Sequence, residues 1–157
     1  MIRLADKQDI AVLARFRVDL ETEDWKDGYV GKDEDLEKAT YQYLEKHLND
    51  DCYIWVWDEP DVGVVAVCTM LLFTHLPDCD DLISKRGFLC NIYTKPEYRK
   101  RGIQKQLIEK CLNYTKKLGV KKFTLNANPH NEKALALYKK FGFRFDPNTG
   151  EFKMDTM

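Results

Sequence analysis

Between Gly87 and Phe145 the hydrophobic period of this chain switches repeatedly from that of a strand to that of a helix and back. Gly87–Thr94 reads as extended. Ile103, Leu107, Ile108, Cys111, Leu112 and Leu118 then recur on one helical face, which Gly119 ends. Lys122–Ala127 is extended again, Asn131–Lys140 helical and Phe143–Phe145 extended. A helix between two strands carries the chain across a sheet face, so this half predicts two crossovers and not a stack of hairpins.

The first half supplies the rest of such a sheet. Ile2–Ala5 is a short strand, and Ile10, Leu13, Ala14, Phe16 and Val18 share a broad helical face that Asp6 or Asp9 could cap. Charged and aromatic residues with two glycines break the pattern from Glu21 to Gly31, before a second helix from about Asp33 to Leu48. Tyr53–Trp57 and Val62–Phe73 read as a hairpin around a turn at Asp58–Asp61, and Phe152–Met154 as a closing strand. The order is β-α-α-β-β-β-α-β-α-β-β, a mixed α/β sheet with helices on both faces.

At 157 residues, 44% hydrophobic and 32% charged, the chain suits one globular domain with a substantial core. A net charge of −1 gives no general attraction to nucleic acid or to an anionic membrane, and no apolar run approaches a membrane span. The basic residues are nevertheless dense between Lys95 and Lys110, which points to a discrete polyanionic ligand. Five cysteines without a Cys-x-x-Cys pair, several inside apolar runs, read as reduced thiols; with no apolar signal core at the N-terminus, the expected location is cytoplasmic. His47, His75 and His130 are scattered, so no metal site is expected.

Two segments carry chemistry. Arg99-Lys100-Arg101-Gly102-Ile103-Gln104 lies between a strand and an amphipathic helix. The free N–H groups and dipole of a helix N-terminus favour phosphate, and Gly102 would let the backbone approach it closely. Arg99 and Arg101 could add charge-assisted hydrogen bonds, although the same residues could equally form a solvated basic turn. Further on, Asn131, Ala134 and Tyr138 share one helical face, Gly142 stops the helix and Phe143 re-enters a strand. A tyrosine so placed can also be simple core packing.

Together the segments resemble the two signatures of the Gcn5-related N-acetyltransferases (GNAT), Arg/Gln-x-x-Gly-x-Gly/Ala and Asn-x-x-Ala-x-x-x-Tyr-x-x-x-Gly-Phe. The resemblance implies an acyl-CoA N-acyltransferase fold over residues 1–157, with a mostly antiparallel sheet of six or seven strands. It implies acetyl-CoA as co-substrate, held in a V between Leu89–Thr94 and Lys122–Ala127. Backbone groups of Ile92, Tyr93 and Thr94 would pair with the pantetheine. Lys100, Arg101, Gly102, Ile103, Gln104 and Lys105 would cradle the pyrophosphate, with Arg99 beside them. Asn131 would bind near the pantetheine and Tyr138 would face the sulfur as general acid. The acceptor would be a primary amine of a small molecule or peptide, attacking the thioester directly, and a homodimer is compatible with the family.

Two positions depart from the pattern. Gln104 stands where Gly or Ala is usual, so either the loop shifts or the amide adds a contact. Cys90 and Asn91 occupy the strand where relatives often carry a carboxylate to deprotonate the acceptor. Glu21, Glu23, Asp24 and His75 are alternative bases; Cys90 is a poor candidate nucleophile within an apolar strand. Asp78, Asp80 and Asp81 could attract a cationic amine or simply confer solubility. The missing carboxylate also admits a second reading, a catalytically silent acyl-CoA-binding module.

Overall fold

The computed structural model describes residues 1–24 and 31–156. The elements are β1 (Ile2–Leu4), α1 (Ile10–Asp24), α2 (Asp33–His47), β2 (Cys52–Glu59), β3 (Gly63–Thr74), β4 (Lys85–Thr94), α3 (Ile103–Lys117), β5 (Lys122–Leu125), α4 (Glu132–Lys140), β6 (Arg144–Asp146) and β7 (Glu151–Asp155). All seven strands join one sheet in the order β1-β2-β3-β4-β5-β7-β6. The β4–β5 pair is parallel, as a crossover through α3 requires, and the other pairs are antiparallel.

The central strand β3 is buried on both faces, which is why its sequence is a continuous apolar run and not an alternation. Ala66, Cys68 and Met70 face a core with Leu107, Ile108 and Cys111 of α3, against which Leu135 and Leu137 of α4 also pack. Val67 faces a second core with Leu13 and Phe16 of α1 and Leu44 of α2. The sheet is thus covered by α1 and α2 on one side and by α3 and α4 on the other.

The entry to α1 is fixed by the predicted aspartates acting together. Asp6 accepts from the Gln8 N–H, and Asp9 accepts from the Asp6 N–H. Arg3 forks onto Asp9 at 2.8 and 2.9 Å and holds its carboxyl below the usual range. Arg3 also binds Asp58, and the Trp57 indole donates to Glu59. These contacts keep Asp58 and Glu59 in β2, so the turn lies at Pro60–Val62, later than Asp58–Asp61. β5 ends at Leu125, two residues before the expected limit, where β4 leaves it.

Candidate active site

The site begins where β4 and β5 part. Their register runs from Arg86 opposite Lys122 to Leu89 opposite Leu125 and stops there. β4 continues to Thr94, still paired with β3 on its other side. Opposite Cys68 the chain holds an extra residue: Thr69 pairs with Cys90, whereas Val67 pairs with Tyr93. Asn91 enters this bulge at φ 47°, a conformation that asparagine tolerates better than most residues. The bend turns the Ile92–Thr94 backbone away from β5 and leaves an unpaired strand edge along one wall of a V.

At the end of that wall, a 3-10 turn at Pro96–Tyr98 leads into the basic loop. Lys100 and Gly102 both adopt left-handed conformations, at φ 63° and 73°, and α3 starts at Ile103. The N–H groups of Ile103, Gln104 and Lys105 fall in the first turn, where no intrahelical acceptor exists, and no acidic residue stands among them. The space around Gly102 is open: a Cβ there would meet nothing within 4 Å. A helix N-terminus with open space in front of it and no acidic residue in its first turn has the electrostatics that suit an anion.

The cations of the loop are distributed differently from expectation. Arg99 donates through Nε to the Thr94 carbonyl at 2.8 Å and forks from Nη2 onto both Glu23 oxygens at 2.7 Å. Its guanidinium also lies over the Tyr93 ring. Arg99 therefore ties the end of α1 to the end of β4 instead of lying free beside the loop. Arg101 stacks on Tyr98 and donates to the Glu97 carbonyl. Lys100 and Lys105 are exposed.

Gln104 resolves the choice posed by its departure from the motif. Its amide Nε2 donates to the Tyr93 carbonyl at 2.9 Å and to Thr94 Oγ1 at 2.7 Å, with Val67 O at 3.3 Å. The side chain lies back along the β3–β4 ladder, pinning the start of α3 to the strand that forms the V wall. Its Oε1 is buried without a partner.

Across the opening, Asn131 caps α4, its Oδ1 accepting from the Ala134 N–H at 3.2 Å. Tyr138, two turns on, is half-buried against the α3-side core, with Phe143 edge-on at 6.4 Å. Burial, reinforced by the neighbouring Cys68, pushes its phenol up to about 12. It stays protonated at any physiological pH and can serve as a proton donor.

On the opposite face, beneath α1 and α2, a cavity of about 410 Å³ reaches the bulge. Its floor includes Thr69, Phe88, Cys90 and Asn91, and α1 and α2 supply Leu13, Arg17, Tyr43 and Leu44 among its walls. None of the candidate bases lines it. Glu21 pairs with Arg17, Glu23 with Arg99, and His75 binds Asp81 at 3.0 Å. Asp24, at the end of α1, has its carboxyl raised by burial and by Glu21 and Glu23. Asp78 is engaged in its own turn, accepting from the N–H groups of Asp80 and Asp81. Burial lifts the Cys90 thiol to about 12, which disfavours the thiolate a nucleophile needs.

Sequence reasoning missed Arg17. The signal was present: Ile10, Leu13, Ala14 and Arg17 follow i, i+3, i+4, i+7, so an arginine holds a core-facing position of α1.

The architecture recurs in known proteins. The family model described as "Acetyltransferase (GNAT) family" matches residues 17–143. An uncharacterized N-acetyltransferase of Methanocaldococcus jannaschii is 29% identical over 121 residues, 74% of this chain and 49% of that protein. The N-alpha-acetyltransferase MAK3 of Arabidopsis thaliana is 34% identical over 104 residues, 66% of this chain and 50% of that protein. The chain thus spans about half the length of these two relatives. Among solved structures, a predicted acetyltransferase from Clostridium acetobutylicum with acetyl-CoA superposes with a TM-score of 0.79 at 23% identity, covering 94% of this chain and 91% of that one. With the family model spanning the parted strands, the phosphate-type loop and the Tyr138 helix, this chain belongs to the GNAT acetyltransferase family.

Proposed function

We propose that the chain transfers the acetyl group of acetyl-CoA to a primary amine by direct attack. The observation that carries this reading is the edge of β4 beyond its pairing with β5, running from the bulge at Asn91 to a helix N-terminus whose first N–H groups lack intrahelical acceptors. An elongated ligand with amides along its length and a pyrophosphate at one end matches both features. The Clostridium acetobutylicum protein of the same fold was crystallised with acetyl-CoA, in keeping with this fit.

When bound, acetyl-CoA supplies an activated thioester. The chain's own groups then divide the remaining work. The edge of Ile92–Thr94 orients the pantetheine, and backbone N–H groups at the bend stabilise charge developing on the carbonyl oxygen. The amine nitrogen forms a bond to the acetyl carbon as the carbon–sulfur bond breaks. Tyr138 gives its proton to the departing sulfur, and the proton lost by nitrogen passes to water. The Methanocaldococcus jannaschii and Arabidopsis thaliana relatives are both named for N-acetyl transfer, which accords with an amine acceptor.

A second reading, a silent acyl-CoA-binding module, draws support from the lack of any carboxylate among the described residues lining the cavity. Titration with acetyl-CoA, followed by thiol release across a panel of amines, separates the two. Turnover with acetylated product supports transfer, and binding without turnover supports the module.

A further inference from the structure

We infer that the acceptor is an α-amino acid or related amine with an apolar, preferably aromatic, body and a carboxylate, the carboxylate being held by Arg17. The inference rests on the acetyl-transfer reading and assigns the substrate class of that site. Arg17 is the single formally charged side chain among the described residues lining the cavity. It occupies a core-facing position of α1, yet its side chain keeps 37% exposure. Glu21, one turn on, contacts the guanidinium through Nη2. A guanidinium has five N–H donors in a fork that matches a carboxylate, so donors remain for a ligand.

The cavity also places this charge relative to the chemistry. Arg17 lines the same cavity as Cys90 and Asn91 at the bulge. A carboxylate on Arg17 would therefore put an amine on the adjacent carbon close to the opening of the V. From there the apolar wall continues outward. Leu71 and Phe88 are paired across β3 and β4, and Phe73 lies against Phe88 at 6.3 Å while 54% exposed.

The same surroundings exclude the opposite class. A diamine or polyamine would bring a second ammonium into an apolar cavity beside Arg17, with no carboxylate among the described lining residues to receive it. The acidic loop that could have attracted such a substrate is engaged elsewhere, Asp78 in its turn and Asp81 with His75. Desolvation by the apolar lining disfavours the charged ammonium and so favours the neutral, nucleophilic form of the acceptor amine.

The test uses three probes with the intact chain: L-phenylalanine, 2-phenylethylamine, which is the same body without the carboxylate, and putrescine. Binding is read by saturation-transfer NMR on the protein with and without CoA, and turnover by acetylated product. L-phenylalanine is expected to exceed 2-phenylethylamine by about tenfold or more in kcat/KM, the range of one charge-assisted contact. Arg17→Gln should bring the two probes within about threefold while leaving the acetyl-CoA Kd unchanged. Thr40→Glu, which sets a carboxylate in the same wall, should reverse the order and keeps the test valid if Arg17→Gln fails to fold. Preference for putrescine, equal use of the two aromatic amines, or no binding of L-phenylalanine with or without CoA overturns the acceptor assignment. Absence of acetyl-CoA binding overturns instead the transfer reading on which it stands.

Discussion

Replacing Gly102 by alanine separates the loop's conformation from its ligand contact, because the fold contains a matched control. Gly102 and Gly150 share φ 73°, and a Cβ at either would meet nothing within 4 Å. Alanine in a left-handed conformation costs about 1–2 kcal/mol, and the narrower unfolded ensemble returns about 0.4–1 kcal/mol. Each variant should therefore lose about 1 kcal/mol, which for a domain of this size lowers Tm by roughly 2–4 °C. The two should melt together. Only Gly102→Ala puts a methyl group where a phosphate must approach the α3 N-terminus. Loss of one charge-assisted contact, at about 1.5–3 kcal/mol, weakens acetyl-CoA by about tenfold to hundredfold. Calorimetric titration of both variants measures this directly. Equal acetyl-CoA affinities for Gly102→Ala and Gly150→Ala would refute the phosphate role of the loop, and unequal melting would refute the strain argument.

Three further outcomes follow from geometry. Tyr138→Phe should lower kcat by about 10²–10⁴-fold while changing the acetyl-CoA Kd little, since only the hydroxyl is removed; unchanged turnover removes Tyr138 from proton transfer. Gln104→Ala should cost only about 1 kcal/mol despite its short contacts. The carbonyls it touches belong to ladder residues, and the variant also removes a buried Oε1 without a partner, itself a cost of about 1–3 kcal/mol; a urea melt checks the value. Alkali should unfold the protein. The thiols of Cys52 and Cys90 are pushed up to about 12 and that of Cys68 is also raised, so the folded state holds protons that the unfolded chain releases near its ordinary pKa of about 8.5. Stability is then full below that pH and falls above it by up to about 1.4 kcal/mol per unit for each such thiol; melts at pH 7.5, 9 and 10 that coincide would contradict this.

The periodic parts of the fold were legible in the sequence. The apolar stripe of α3, its stop at Gly119, and the β4-loop-α3 and α4-Gly142-β6 junctions depend on neighbours in the chain, where spacing carries the information. The bulge was not legible. Asn91 lies inside an unbroken extended run, and its left-handed φ is set by pairing with β3. Nor could local reasoning divert Arg99 to Glu23, 76 residues earlier, or send the Gln104 amide along the ladder. The cavity is the extreme case: α1, α2 and residues of β2, β3 and β4 become walls only when packed. Arg17 was the visible exception, a charge in an apolar stripe.

The parallel junction of β4 and β5 also orders assembly in time. β2, β3 and β4 are consecutive antiparallel neighbours and can form a meander by closing short loops. β5 cannot pair until α3 has crossed the sheet, and its other edge is covered by β7, Lys122 opposite Asp155 and Leu125 opposite Phe152. A nascent chain that has emerged only as far as β4 can thus build the floor of the acceptor cavity well before any groove for the donor exists. The second wall of that groove is braced by the C-terminal strand, so truncation before Glu151 should abolish acetyl-CoA binding without touching a residue of the V.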